Sequence, residues 1–157
     1  EIGCGGGFFL PYAAQAVGAE GHVIGLDIDE KMLEKSLSHL AQTPAHIRER
    51  VELMQRSAYY LPFEDASLDV VYFVAALMEI PDPKRCLKEV RRVLKPQGVL
   101  AVSEFMPDPD YPTRRVTVRT AESAGFIVEA VEGNAWDGTR AKDTPPQEGK
   151  GRGNTGP

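Results

Sequence analysis

Four glycines fall within five consecutive positions near the start of the chain, in the run Glu1-Ile2-Gly3-Cys4-Gly5-Gly6-Gly7. Ahead of them Glu1-Ile2 has the character of a strand end, and behind them residues 8–17 read as a helix, with Pro11 tolerated in its first turn. A strand that turns into a helix this abruptly needs backbone conformations that side chains resist, and glycine supplies them. The missing Cβ atoms also let a ligand approach the main chain, while the helix start presents free N–H groups. A plain strand-to-helix loop satisfies the same pattern, so the turn gains meaning only from the residues beyond it.

Those residues alternate between strand and helix. Residues 22–27 form an apolar strand; Asp29 suits the N-cap of a helix over 30–41, with Met32, Leu33, Leu37 and Leu40 on one face. A short helical turn at 45–49 leads to a strand at 50–55, and Leu68 to Val74 is a near-continuous apolar run of the kind buried on both faces. Asp82 caps a helix with Pro83 at its first position, which turns Leu87, Val90, Val93 and Leu94 inward and stops before Pro96. A strand at 98–103, a helix at 113–124 ended by Gly125, and a strand at 126–131 complete the pattern. Strands alternating with helices predict an α/β fold: a doubly wound, mostly parallel sheet flanked by helices. Because the chain opens inside the motif, its first strand is expected to be clipped. After Trp136 the only apolar residue is Ala141, so 137–157 is expected to be a flexible tail behind a domain over 1–136, with no convincing seventh strand.

A length of 157 residues fits one domain. A net charge of -5 argues against a broad nucleic-acid surface, which wants a basic face. Cys4 and Cys86, with His22, His39 and His46 scattered singly, show no metal-ligand spacing and read as reduced thiols of a cytoplasmic protein. No apolar run is long enough to span a bilayer.

Asp27 narrows the ligand. It ends the second strand about 20 residues past the turn, where a carboxylate accepts from ribose hydroxyls. Phe8 occupies the place of the third glycine of a dinucleotide fingerprint, and no Gly-Lys-Ser/Thr is present for a phosphate loop. Glu1 puts a negative charge where a pyrophosphate would be repelled and a cationic amino group welcomed.

These features resemble the class I S-adenosylmethionine-dependent methyltransferases, especially the small-molecule branch that includes the ubiquinone/menaquinone-biosynthesis enzymes. The resemblance runs from Glu1 to about Gly133 and rests on several stretches in order. They are Glu1 to Gly7, Gly25-Leu26-Asp27-Ile28, Leu61-Pro62-Phe63 with Asp65 and Leu68-Asp69-Val70-Val71, Arg92-Val93-Leu94-Lys95-Pro96-Gln97-Gly98, and Ala124-Gly125-Phe126. It implies a sheet of strand order 3-2-1-4-5-7-6 with the seventh antiparallel. It implies S-adenosylmethionine as cofactor, with Glu1 holding the methionyl ammonium and the backbone of Gly3, Cys4 and Gly5 beneath it. Asp27 would take the ribose hydroxyls and Ile28 pack on adenine. Ser57 and Ala58 would read the adenine edge, and Phe73 would meet the cofactor through its backbone. The chain departs from the pattern at Ser57, where the family often has Asp, at Gln97, which replaces a glycine, and at Glu79, where many members have His or Asn. Glu79 is the candidate base, or the group that orients an acceptor hydroxyl, should the acceptor need to lose a proton. Tyr59, Tyr60 and Phe63 form either a packed loop or a ligand wall, and the Pro-rich stretch 108–112 either a rigid connector or a substrate contact.

The expected activity is methyl transfer to a small-molecule acceptor by in-line displacement, with position and water exclusion as the protein's main contributions. Two alternatives stay open: a nucleotide-binding oxidoreductase on the same architecture, and a non-catalytic Rossmann-like remnant.

Overall fold

A computed structural model describes residues 1–104, 114–131 and the backbone of 139–142. The helices are α1 (Leu10–Ala16), α2 (Glu30–Leu40), α3 (Ala45–Arg48), α4 (Pro83–Val93) and α5 (Arg114–Ser123). The strands are β1 (Val23–Asp27), β2 (Val51–Gln55), β3 (Leu68–Val74), β4 (Leu94–Ser103), β5 (Ile127–Val131) and β6 (Thr139–Lys142).

β1 pairs with β2 in parallel, from Val23↔Val51 to Asp27↔Gln55. β3 pairs with β4 in parallel, from Val70↔Val99 to Val74↔Ser103. Two residues join these parts into one sheet. Glu1-Ile2 lies between β1 and β3: Leu26 N–H donates to the Glu1 carbonyl at 2.8 Å, and Ile2 N–H donates to the Tyr72 carbonyl at 3.1 Å. Glu1-Ile2 is thus the end of the expected first strand. Val70 of β3 is 54% exposed rather than buried on both faces as its sequence suggests.

The far edge corrects the sequence reading. β6 inserts between β4 and β5 and runs antiparallel to both. It is the seventh strand, within the segment expected to be a tail. Its sequence, Thr139-Arg140-Ala141-Lys142, carries no apolar alternation; main-chain pairing with a strand on each side defines it instead. Trp136 and residues 143–157 lie outside the described residues, as does 108–112.

Local signals explain the helices. Asp29 caps α2 by accepting from Lys31 N–H, and Asp82 caps α4 by accepting from Arg85 N–H. Cys86, Leu87, Val90 and Val93 of α4 are fully buried against Phe73, Leu77 and Leu100. Each such aliphatic side chain contributes about 1.5–3 kcal/mol of hydrophobic stabilisation. β4 begins at Leu94, directly after α4, rather than at 98; a register shift after the Leu68↔Leu94 pair accommodates Pro96 and Gly98. On α2 the buried face is Leu33, Ser36 and Leu40, while Leu37 is 60% exposed. Ser36 is inside because the glycine turn passes so close that only a small side chain fits there.

Candidate functional site

Past the C-terminal ends of β1 and β3 a cavity of about 530 Å³ opens beneath the glycine turn, where ligands bind in open α/β sheets. Gly3, Gly5 and Gly7 hold φ values of +71°, +51° and +72°, which only glycine adopts without strain. Two of them are also held by crowding. A Cβ on Gly3 would stand 2.7 Å from the Ala76 Cβ, and one on Gly7 would press on Ser36, 3.2 Å from its Cα. Gly5 differs: a Cβ there would meet nothing within 4 Å.

The turn is tied to the end of β1 through Asp27. Gly5 N–H donates to Asp27 Oδ2 at 2.7 Å and Asp29 N–H donates to Asp27 Oδ1 at 2.9 Å. Both carboxylate oxygens are thereby fixed, and each keeps accepting capacity for a further donor. Glu1 is 9% exposed, and Tyr72 O–H donates to its Oε2 at 3.0 Å. Burial holds the Glu1 carboxyl above the ordinary carboxylate range, with the Asp27 charge adding to the rise and the Tyr72 hydrogen bond opposing it. Burial, with the Glu1 and Asp27 charges, pushes the Cys4 thiol up to about 12, so it stays protonated and is no nucleophile. The wall carries three carboxylates, Glu1, Asp27 and Glu79, against one guanidinium, Arg56, which donates to the Gln55 carbonyl at 2.8 Å. That balance suits a cationic ligand. Ile28, 72% exposed, and Met32 add an apolar face beside Asp27.

The opposite wall is the loop after β2. Ser57 Oγ accepts from Tyr59 N–H at 3.3 Å, and Tyr59 Oη accepts from Asp82 N–H at 2.9 Å. Arg85 of α4 lies over both the Tyr59 and Tyr60 rings, 4.8 and 5.1 Å from their centres, and donates to the Tyr60 hydroxyl. Arg92 grips the rest of the loop. It donates to the Leu61 and Phe63 carbonyls at 3.0 and 2.9 Å, to Asp65 at 2.7 Å, and through two nitrogens to Glu89. The Arg92 hydrogen bond, helped by one from Leu61 N–H, holds the Glu89 carboxyl below its ordinary value.

Residues 1–102 match the family described as the methyltransferase domain. The chain belongs to that family. A demethylmenaquinone methyltransferase from Lactobacillus johnsonii is 36% identical over 104 residues, covering 66% of this chain and 42% of that protein. An uncharacterized 37.1 kDa protein in transposon TN4556 of Streptomyces fradiae is 34% identical over 155 residues, covering 83% of this chain and 44% of that protein. The chain thus spans less than half the length of these relatives. The crystal structure of a SAM-dependent methyltransferase from Aquifex aeolicus superposes with a TM-score of 0.77 at 25% identity, covering 89% of this chain and 78% of that one.

S-adenosylmethionine is the cofactor that membership of the methyltransferase family implies, and the residues present fit it. A carboxylate with free accepting capacity faces an open glycine, an apolar face stands beside it, and a buried carboxylate lies behind. Glu1, Gly3, Cys4, Gly5, Asp27, Ile28, Ser57, Ala58 and Glu79 all line the cavity. Phe73 is the one expected residue that does not. Expected to meet the cofactor through its backbone, Phe73 is only 1% exposed as a whole residue, and Val74 and Ala75, one and two positions on, form the wall. Ala75 has φ of +49°, a left-handed conformation rare outside glycine, and no residue type announces it. Sequence reading also missed Phe8, Phe9 and Met32 as wall residues. Their signal was position: two aromatics directly after the glycines, and an apolar residue in the first turn after Asp27. Among the described residues no helix is long and apolar enough to cross a membrane, and no cluster is arranged to hold a metal ion.

Proposed function

We propose that this chain binds S-adenosylmethionine in the 530 Å³ cavity and directs its methyl group to a small-molecule acceptor. The Asp27 carboxylate carries the reading, preset by two backbone N–H groups beside a glycine with open space above it. The cofactor supplies an already activated methyl group, so the protein's task is position, in line with the acceptor, and exclusion of water.

Asp27 accepts from the ribose hydroxyls, each such charge-assisted bond being worth roughly 1.5–3 kcal/mol. Glu1 attracts the amino group, Gly3, Cys4 and Gly5 form the floor, and Ile28 and Met32 cover the adenine face. Ser57 and Ala58 border the adenine edge. The Ser57 hydroxyl already accepts from Tyr59 N–H, which leaves one lone pair to accept from the adenine amino group and its own O–H to donate. On the acceptor side Phe8, Phe9, Ile80 and Pro81 provide apolar cover, and Glu79, exposed at the end of a short helical turn, orients an acceptor hydroxyl or takes its proton. An apolar ring acceptor fits that surface, a reading the relatives named for demethylmenaquinone support. Two buried, unbridged thiols support placement in the cytoplasm.

Calorimetry tests the reading. S-adenosylhomocysteine should bind and NAD should not, since Glu1 repels a pyrophosphate and Phe8 replaces the third glycine that would bring a dinucleotide close. Heat with NAD and none with S-adenosylhomocysteine would overturn it in favour of an oxidoreductase site.

A further inference from the structure

The Glu1 side chain lines the 530 Å³ cavity. Tyr72 does not line it, yet its hydroxyl donates to Glu1 Oε2 at 3.0 Å across 71 positions of sequence. A hydrogen bond at one oxygen restricts the carboxylate's orientation and leaves its remaining lone pairs to offer. Without that donor, a buried carboxylate with few partners would turn toward solvent or take up a proton.

We infer that Tyr72 is a positioning residue: its hydroxyl fixes the Glu1 carboxylate, ionised, to receive the amino group of the nucleoside ligand. The inference rests on the proposed cofactor site. Apart from its backbone carbonyl, which accepts from Ile2 N–H and is kept in any side-chain variant, Tyr72 meets that site at Glu1, so its hydroxyl acts through Glu1. The other ionisable groups around Glu1 are the Cys4 thiol of the turn and Asp27 of β1; Glu79, Arg56 and Tyr59 share its cavity, and His22 and Asp69 lie on its other side. Of these Tyr72 alone is hydrogen-bonded to the carboxylate. Tyrosine's own proton stays in place, because burial and the Glu1 charge raise its pKa further.

The test compares two probes from about pH 5 to pH 8 by calorimetry. S-adenosylhomocysteine carries the amino group, and 5′-methylthioadenosine has the same adenine and ribose without it. Tyr72→Phe, which keeps the ring, should weaken the first probe roughly three- to tenfold at neutral pH. It should also move the acid fall of that affinity upward by about one pH unit, since removing a hydrogen bond to the ionised form raises the carboxyl pKa. Binding of 5′-methylthioadenosine should be unchanged, which also reports that the variant folds. Superimposable S-adenosylhomocysteine profiles for wild type and Tyr72→Phe would overturn the inference, as would equal weakening of both probes, which signals general packing. Failure of the cofactor reading looks different: wild type then binds neither probe, or Glu1→Gln weakens both alike, and the inference falls with it.

Discussion

On one side of the cavity the Gly3–Gly7 turn is fixed by backbone: positive φ angles, contacts that leave no room for Cβ atoms, and N–H groups of Gly5 and Asp29 on Asp27. Across from it, the loop that carries Ser57, Ala58 and Tyr59 is fixed by side chains: Arg92 on two carbonyls and two carboxylates, Glu89 on Leu61 N–H, Arg85 over two tyrosine rings. A wall built from backbone is set by the fold and tolerates little change. A wall built from partly exposed ion pairs holds geometry through interactions that salt and pH can weaken.

The sharpest break in this contrast is Gly7→Ala. With φ at +72° and Ser36 in the way, the new methyl group strains the backbone and pushes α2 off the turn. We expect a loss of about 2–4 kcal/mol in denaturant unfolding, by the usual cost of overpacking plus a left-handed non-glycine residue. The same substitution at Gly5 faces only the φ penalty in the free protein, so the two should differ clearly in stability.

Next comes Asp27→Ala. It should weaken S-adenosylhomocysteine by about 10- to 100-fold, through loss of charge-assisted hydrogen bonds. An unchanged affinity in calorimetry would reduce Asp27 to a brace for the turn.

Arg92→Lys is expected to act more mildly. It keeps the charge and loses the fork that spans Leu61, Phe63, Asp65 and Glu89. S-adenosylhomocysteine binding should weaken roughly three- to tenfold and grow more salt-sensitive, while the turn stays intact. A stability loss as large as that of Gly7→Ala would erase the distinction between the walls.

The smallest effect is that of acid on the clamp. The Glu89 carboxyl is lowered from 4.5 when folded, so its contribution is full above that value and is lost as pH falls through the lower folded value. The Leu61 amide, which donates to Glu89, should therefore lose protection from hydrogen exchange as pH falls below 4.5 and through the lower folded value. Unchanged protection there would show that the neighbouring backbone holds the loop without Glu89.

The same contrast explains what could be read from the residues alone. The glycine turn, Asp27 and the caps Asp29 and Asp82 were legible because backbone geometry restricts which residues can stand there, so residue type reports structure directly. The side-chain wall was not. Arg92, Asp65 and Leu61 stand in stretches whose family likeness could be quoted, but nothing in their spacing says that one guanidinium gathers them. The displacement from Phe73 to Val74 and Ala75 turns on a left-handed alanine, invisible in the sequence. β6 escaped because period-two hydrophobicity marks strands by their side chains, and Thr139–Lys142 is defined by main-chain bonds to β4 and β5.

That strand sets an order of assembly. β4 and β5 never touch as ladder partners; the segment between them in space comes after both in the chain. During synthesis β5 and α5 emerge before the strand that joins β5 to the sheet, and the edge closes only when residue 142 has cleared the ribosome. Until then β4 presents an open row of amides and carbonyls, so this is the interval in which a newborn chain is most exposed to pairing with a neighbour instead of with itself.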